Sequence, residues 1–171
     1  MKKNKLDIFI ILIIFVLGFV SCSEPQQQKQ NDTVVSKVFE NEEWDYYPLE
    51  ASYMVENAPL VADLVMEVDV TDVFPNVIPH PDDTGELEID LTVESPEGNR
   101  RTLNRKFPLK DREGNFKAEK VDGCYHYEFS LINDRKFDEK GEYRFKIENK
   151  YSKIPLCGIK KLEIKCLRKD K

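Results

Sequence analysis

The chain has 171 residues, 34% charged and 40% hydrophobic, with a formal net charge of −6. That length suits one domain with a tail; the apolar share is too high for a wholly disordered chain, and seven Gly and nine Pro exclude a collagen-like or Gly/Pro-rich low-complexity protein. The acidic balance argues against nucleic acid as a partner, because neutralising phosphates takes clustered Lys and Arg.

The first element is a targeting segment. Met1-Lys2-Lys3-Asn4-Lys5 is a positive n-region, and Ile8 to Val20 is a run of thirteen uncharged, mostly large apolar residues. A membrane-spanning helix needs roughly twenty, so the run fits the h-region of a secretory signal. It ends in Phe19-Val20-Ser21-Cys22. A small residue followed by Cys at this place is the pattern of a bacterial lipoprotein signal, in which Cys22 is acylated and residues 1–21 are cut away. An ordinary signal peptide with an incidental Cys is the alternative, and Phe19 stands where Leu is commoner. Several acyl chains on Cys22 would anchor the protein durably. Loss of Lys2, Lys3, Lys5 and Asp7 with the signal moves the net charge from −6 to −8. Only Glu24 is acidic directly after the cysteine, so the expected place is the outer membrane, facing the periplasm.

Residues 22–33 read as the lipidated Cys and a flexible tether, because Ser23 to Thr33 (SEPQQQKQNDT) holds no large apolar residue. From Val34 to Lys171 the dominant period is two, the signature of strands with one wet and one buried face. Val34–Glu40 and Ala51–Glu56 are weaker candidates. Leu64, Met66, Val68 and Val70 alternate with Val65, Glu67, Asp69 and Thr71, and Leu87 to Glu94 follow the same rule. Arg101–Leu109 is a third weaker candidate. Tyr125 to Ile132, Tyr143 to Glu148 and Leu162 to Leu167 complete about eight strands. Ser95-Pro96-Glu97-Gly98-Asn99, Asp111-Arg112-Glu113-Gly114-Asn115 and Asp138-Glu139-Lys140-Gly141 supply turn chemistry between them. Pro75, Pro79 and Pro81 mark a longer loop, and Ser130 to Lys140 is the best place for a short helical turn. The expected fold is a single all-β domain, an antiparallel β-sandwich of immunoglobulin-like or jelly-roll-like type.

Candidate chemistry is sparse. His126 reads as a strand residue on the polar face beside Glu128. His80 lies among Pro79, Pro81, Asp82 and Asp83, without the spacing of a known cation site, so no metal is assigned. No Gly-x-Ser-x-Gly or Ser-x-x-Lys is present, Cys124 with His126 is a poor candidate dyad, and abundant carboxylates single out no acid–nucleophile pair. There is no Gly-rich phosphate loop, and no cofactor or catalytic residue is assigned. Cys157 and Cys166 flank a short connection and could pair in an exported protein; buried reduced thiols are the other reading. Trp44-Asp45-Tyr46-Tyr47-Pro48 is the densest aromatic stretch. Trp44, Tyr46 and Tyr47 are the candidate binding residues, as an exposed sugar platform; the competing structural reading has Trp44 and Tyr47 capping one end of the sandwich.

The C-terminal third carries a resemblance. Gly141-Glu142-Tyr143-Arg144-Phe145-Lys146-Ile147-Glu148, then Pro155-Leu156-Cys157-Gly158-Ile159, then a last alternating strand resembles the gliding-motility lipoprotein GldH family of the Bacteroidota. Pro96-Glu97-Gly98 followed by Asp111-Arg112-Glu113-Gly114-Asn115-Phe116 is similar to another segment of that family, with Phe116 in place of Trp, and Phe74-Pro75 stands at its aromatic–Pro pair. The likeness spans residues 40–165. Cys157 and Cys166 are not part of its pattern, and Val121 to Cys124 is shorter. It implies a small envelope lipoprotein that supports gliding or adhesin movement, and it brings no catalytic residues with it. The leading expectation is therefore a non-enzymatic, lipid-anchored β-sandwich contacting other envelope proteins of a motility or secretion assembly. The alternative is a lipid-anchored binding module for a glycan or small ligand.

Overall fold

The computed structural model describes residues 31–74, 85–150 and 155–169. The signal, Cys22, most of the tether, and the loop with Pro75, Pro79, His80 and Pro81 lie outside the described residues. The described chain contains no helix, and so none long and apolar enough to cross a membrane. Its strands are β1 (Asn31–Val38), β2 (Glu43–Trp44), β3 (Leu49–Val55), β4 (Leu60–Val70), β5 (Glu86–Glu94), β6 (Arg100–Pro108), β7 (Lys120–Val121), β8 (Cys124–Phe137), β9 (Gly141–Asn149), β10 (Leu156–Cys157) and β11 (Ile159–Arg168). All eight expected strands are present. The two-residue pieces β2, β7 and β10 are additional.

All pairings are antiparallel. One sheet runs β1-β11-β4-β8-β7, the other β3-β9-β5-β6, and β10 pairs β2 in a small ribbon. The two larger sheets form the sandwich. Alternate residues of each strand turn inward: Leu64, Met66, Leu162, Ile164 and Cys166 from one sheet; Leu87, Ile89, Leu91, Tyr143, Phe145 and Ile147 from the other. Burying such a side chain contributes about 1.5–3 kcal/mol, which is what makes the period of two decisive here.

Two expectations are corrected. β1 starts at Asn31, so the last three residues assigned to the tether belong to the sheet. Asp32 explains why: it accepts hydrogen bonds from Tyr53 Oη and Arg168 Nε, each at 2.8 Å. The stretch Ser130 to Lys140 forms no helical turn. β8 continues through it to Phe137, absorbing two register shifts against β4 and a left-handed residue, Asp134 (φ 52°). The Asp134 amide donates to Asp63 Oδ1 at 2.8 Å, which holds that kink in place.

The register defines two poles. Asn31 pairs with Leu167, and Val55, Leu60, Glu94, Phe137 and Gly141 share that end. Val38, Leu49, Val70, Cys124, Asn149 and Ile159 share the other.

Candidate functional site

At the pole away from Asn31, the connection from β1 to β3 carries the aromatic stretch. Trp44 is completely buried, its ring 5.8 Å from that of Phe39, and β2 pairs it with Leu156 of β10. Its Nε1 donates to the Tyr47 carbonyl at 3.3 Å. Asn149 Nδ2, itself buried, donates to the carbonyls of Asp45 (2.9 Å) and Trp44 (3.4 Å), and Asp45 Oδ1 accepts from the Tyr47 amide at 3.0 Å. The backbone of residues 44–47 is thus held at several points from beneath. Tyr46 and Tyr47 project from it, 56% and 63% exposed, with ring centroids 4.9 Å apart. An exposed three-ring platform is not what forms: Trp44 is a core residue supporting two exposed tyrosines. Of the two residues expected to cap the sandwich, Trp44 is buried and Tyr47 is not.

Behind this loop the chain is packed tightly. The Glu42 carbonyl accepts from Gly158 N at 2.7 Å and Ile159 N at 3.2 Å, while Thr71 Oγ1 donates to Glu42 Oε2 at 2.9 Å. Gly158 adopts φ +80°, and a Cβ there would lie 2.5 Å from Phe74 N. Only glycine suits both constraints.

A second feature lies on the outer face of the four-stranded sheet. A hollow of about 730 Å³ is lined by Glu50, Ser52, Thr92, Glu94, Arg100, Thr102, Arg144 and Lys146, together with Ala51 and Phe145. Cross-strand register places Arg144 and Arg100 on either side of Glu94, and both pair with it. Thr92 and Thr102 share a hydrogen bond at 2.8 Å between their hydroxyls. Sequence reasoning did not find this hollow, because its residues come from four strands and are joined only by register.

Other candidates separate. His126 is exposed, and its Nδ1 meets Asp69 Oδ1 at 2.7 Å across the β4–β8 pair. Among the described residues no hydrogen bond joins Cys124 to His126, and no cluster of three metal-ligating side chains occurs. His80 is outside the described residues. Cys157 and Cys166 are not joined in a disulfide, and Cys124 is likewise a thiol. Burial pushes the Cys166 and Cys157 thiols up from their ordinary value, helped at Cys157 by Glu43 Oε1 at 3.4 Å. Both are correspondingly poor nucleophiles. Asp72 is held below the usual carboxylate range first by Lys120, then by the Tyr125 hydroxyl at 3.0 Å. Tyr125 stacks on Phe116 at 3.9 Å, and Lys110 Nζ lies 4.4 Å from the Phe116 ring centroid.

No known protein family's sequence profile matches the chain, and no curated protein matches it. Among solved structures, it is similar to exo-beta-1,3-galactanase from Phanerochaete chrysosporium, in a crystal structure with galactose, at 11% identity and a TM-score of 0.36. The match covers 80% of this chain and 27% of that one, so this chain spans about a quarter of the enzyme's length.

Proposed function

We propose that this protein is a non-enzymatic lipoprotein of the bacterial cell envelope, anchored through acylated Cys22 and acting through contacts with other envelope proteins. The resemblance to the gliding-motility lipoprotein GldH family points to a motility or secretion assembly. The observation that carries the reading is the order of parts. A short h-region ends at Ser21-Cys22, a polar spacer follows, and β1 opens at Asn31. The eight residues between Cys22 and Asn31 reach at most roughly 28 Å, so the sandwich would sit close to the membrane. Two pairs of the residues that carry the resemblance also meet in space: Gly158 against Phe74, and Gly141 against Pro96. They act as packing and turn determinants, in keeping with a family whose signature is architectural.

The test is fractionation followed by crosslinking in cells. The wild-type chain should pellet with membranes and leave them only in detergent, whereas Cys22→Ala should be soluble or retained as precursor. Crosslinked wild-type protein should co-purify with envelope motility or secretion components that the Cys22→Ala protein lacks. Wild-type protein found free of membranes would sink the anchoring claim. A membrane-bound protein without protein partners would bring forward the glycan or small-ligand reading, for which the polar hollow beside Thr92 and Arg144 offers a surface.

A further inference from the structure

Six large apolar side chains stand exposed among the described residues, and five of them lie at the pole away from Asn31: Val38, Tyr46, Tyr47, Val73 and Val121. Met54, on β3 near its far end, is the sixth. The apolar exposure is therefore concentrated where, on the reading above, the molecule points away from its anchor. Charge is also distributed unevenly. Several carboxylates on the flat faces have a base beside them, Glu94 with Arg100 and Arg144, Asp90 with Lys150 and Glu67 with Lys165 across strands and Glu163 with Lys161 along β11; at the far pole Asp72 has Lys120. Residues 39–48 (FENEEWDYYP) hold Glu40, Glu42, Glu43 and Asp45 and no base. Among the described residues none of these four enters an ion pair.

We propose that the Tyr46–Tyr47 pair is a docking surface for a Lys- or Arg-bearing segment of a protein partner. The proposal names the partner chemistry for the protein-contact function above and rests on it. Aromatic faces attract ammonium and guanidinium groups within about 6 Å of the ring centroid, Arg more often than Lys. Unneutralised carboxylates at Glu40, Glu43 and Asp45 complement the same cation, and they steer its approach from a distance. The pair is also prepared for binding. The hydrogen bonds from Trp44 and Asn149 fix the backbone that carries both rings, so little conformational freedom is left to lose on association. A neutral glycan would use the rings and donate hydroxyl hydrogen bonds to the carboxylates, but only a cation also gains charge attraction and long-range steering from them, which is why a basic protein segment is the favoured occupant.

The test uses the full-length chain purified in detergent and labelled twelve-residue peptides that alternate Arg or Lys with Ser, with Gln-for-base and Glu-for-base counterparts and a neutral hexasaccharide. Fluorescence anisotropy should show the basic peptide binding about tenfold tighter than the Gln peptide. Tyr46→Ala with Tyr47→Ala, and separately Glu43→Gln with Asp45→Asn, should each remove most of that difference. Met54→Ala with Glu142→Gln at the opposite pole should leave it intact. All these side chains are on the surface, so the melting temperature reports that each variant is folded. Absence of binding, equal binding of all peptides, or binding indifferent to the tyrosines would overturn the proposal; so would hexasaccharide binding that depends on the tyrosines while the basic peptide does not. Anchoring is read separately by fractionation. Basic-peptide binding by a chain that proves soluble would retain this site and discard the anchor.

Discussion

The hydrogen atom that serves as the side chain of Gly158 leaves a space that no Cβ fits, 2.5 Å from Phe74 N and 2.7 Å from Phe74 Cβ. Gly98 has a similar left-handed backbone, φ +87°, but nothing within 4 Å. The two positions separate conformational strain from collision. Gly98→Ala should cost about 1 kcal/mol; Gly158→Ala should cost at least about 2, and Gly158→Val more. Equal losses in urea unfolding would show that Phe74 yields without penalty. Tyr53 makes a second prediction at this scale. Burial, and then its hydrogen bond to Asp32, push its phenol well above the ordinary tyrosine value. The folded state therefore keeps the proton that the unfolded chain releases near pH 10. Its contribution is complete below that pH and is lost as pH rises further. Tyr53→Phe should flatten the fall in unfolding midpoint between pH 9 and 11, and an unchanged slope would count against the pairing with Asp32.

Among the elements, the turn from Asp111 to Asn115 shows how local chemistry closes a loop. Asp111 Oδ1 accepts from Asn115 N at 2.8 Å and Glu113 N at 3.0 Å, and Gly114 takes φ +85°. The Asn115 amide is the main reason that the Asp111 carboxyl titrates below its usual range. Asp111→Ala should lower the melting temperature at pH 7, and the difference from wild type should shrink as pH falls below about 4, where the carboxylate is protonated. A difference independent of pH would place the effect elsewhere. This turn was legible in the sequence, as were the eight longer strands, because both depend on neighbouring residues: side-chain period, Pro, Gly and Asx positions. The kink in β8 was not, since it depends on Asp63, 71 residues earlier, capturing the Asp134 amide. The short β2 and β10 were equally hidden, as they exist only by pairing with each other. The same reason explains Trp44. Its neighbours in sequence are polar or exposed, and its burial is decided by Leu156 and Asn149, over 100 residues away.

Taken whole, the molecule is a sandwich with many paired surface carboxylates, whereas those of residues 40–45 at its far pole enter no ion pair among the described residues. Asp72, Asp90 and Glu163 are each held below the ordinary carboxylate range, first by hydrogen bonds from Lys120, Asn104 and Lys161 respectively. For all three the unfolded chain takes up protons before the folded one. Their stabilisation is present above about pH 4 and lost progressively below it. The unfolding midpoint should therefore be level from pH 7 to 5 and fall from about pH 4, with high salt reducing the effect of these exposed pairs. A midpoint constant down to pH 3 would mean that the pairs contribute nothing to folding.

The pairing of Asn31 with Leu167 also has a mechanical consequence. β1 runs from the end that enters from the N-terminal segment to the pole bearing Tyr46 and Tyr47, eight residues or roughly 25 Å of nearly extended chain. A pull between those two ends acts along the strand, across the hydrogen bonds that join β1 to β11, and so stretches them together instead of unzipping them one at a time. A chain already close to full length pays out little slack. The sandwich would transmit tension between its two poles as a short, stiff strut.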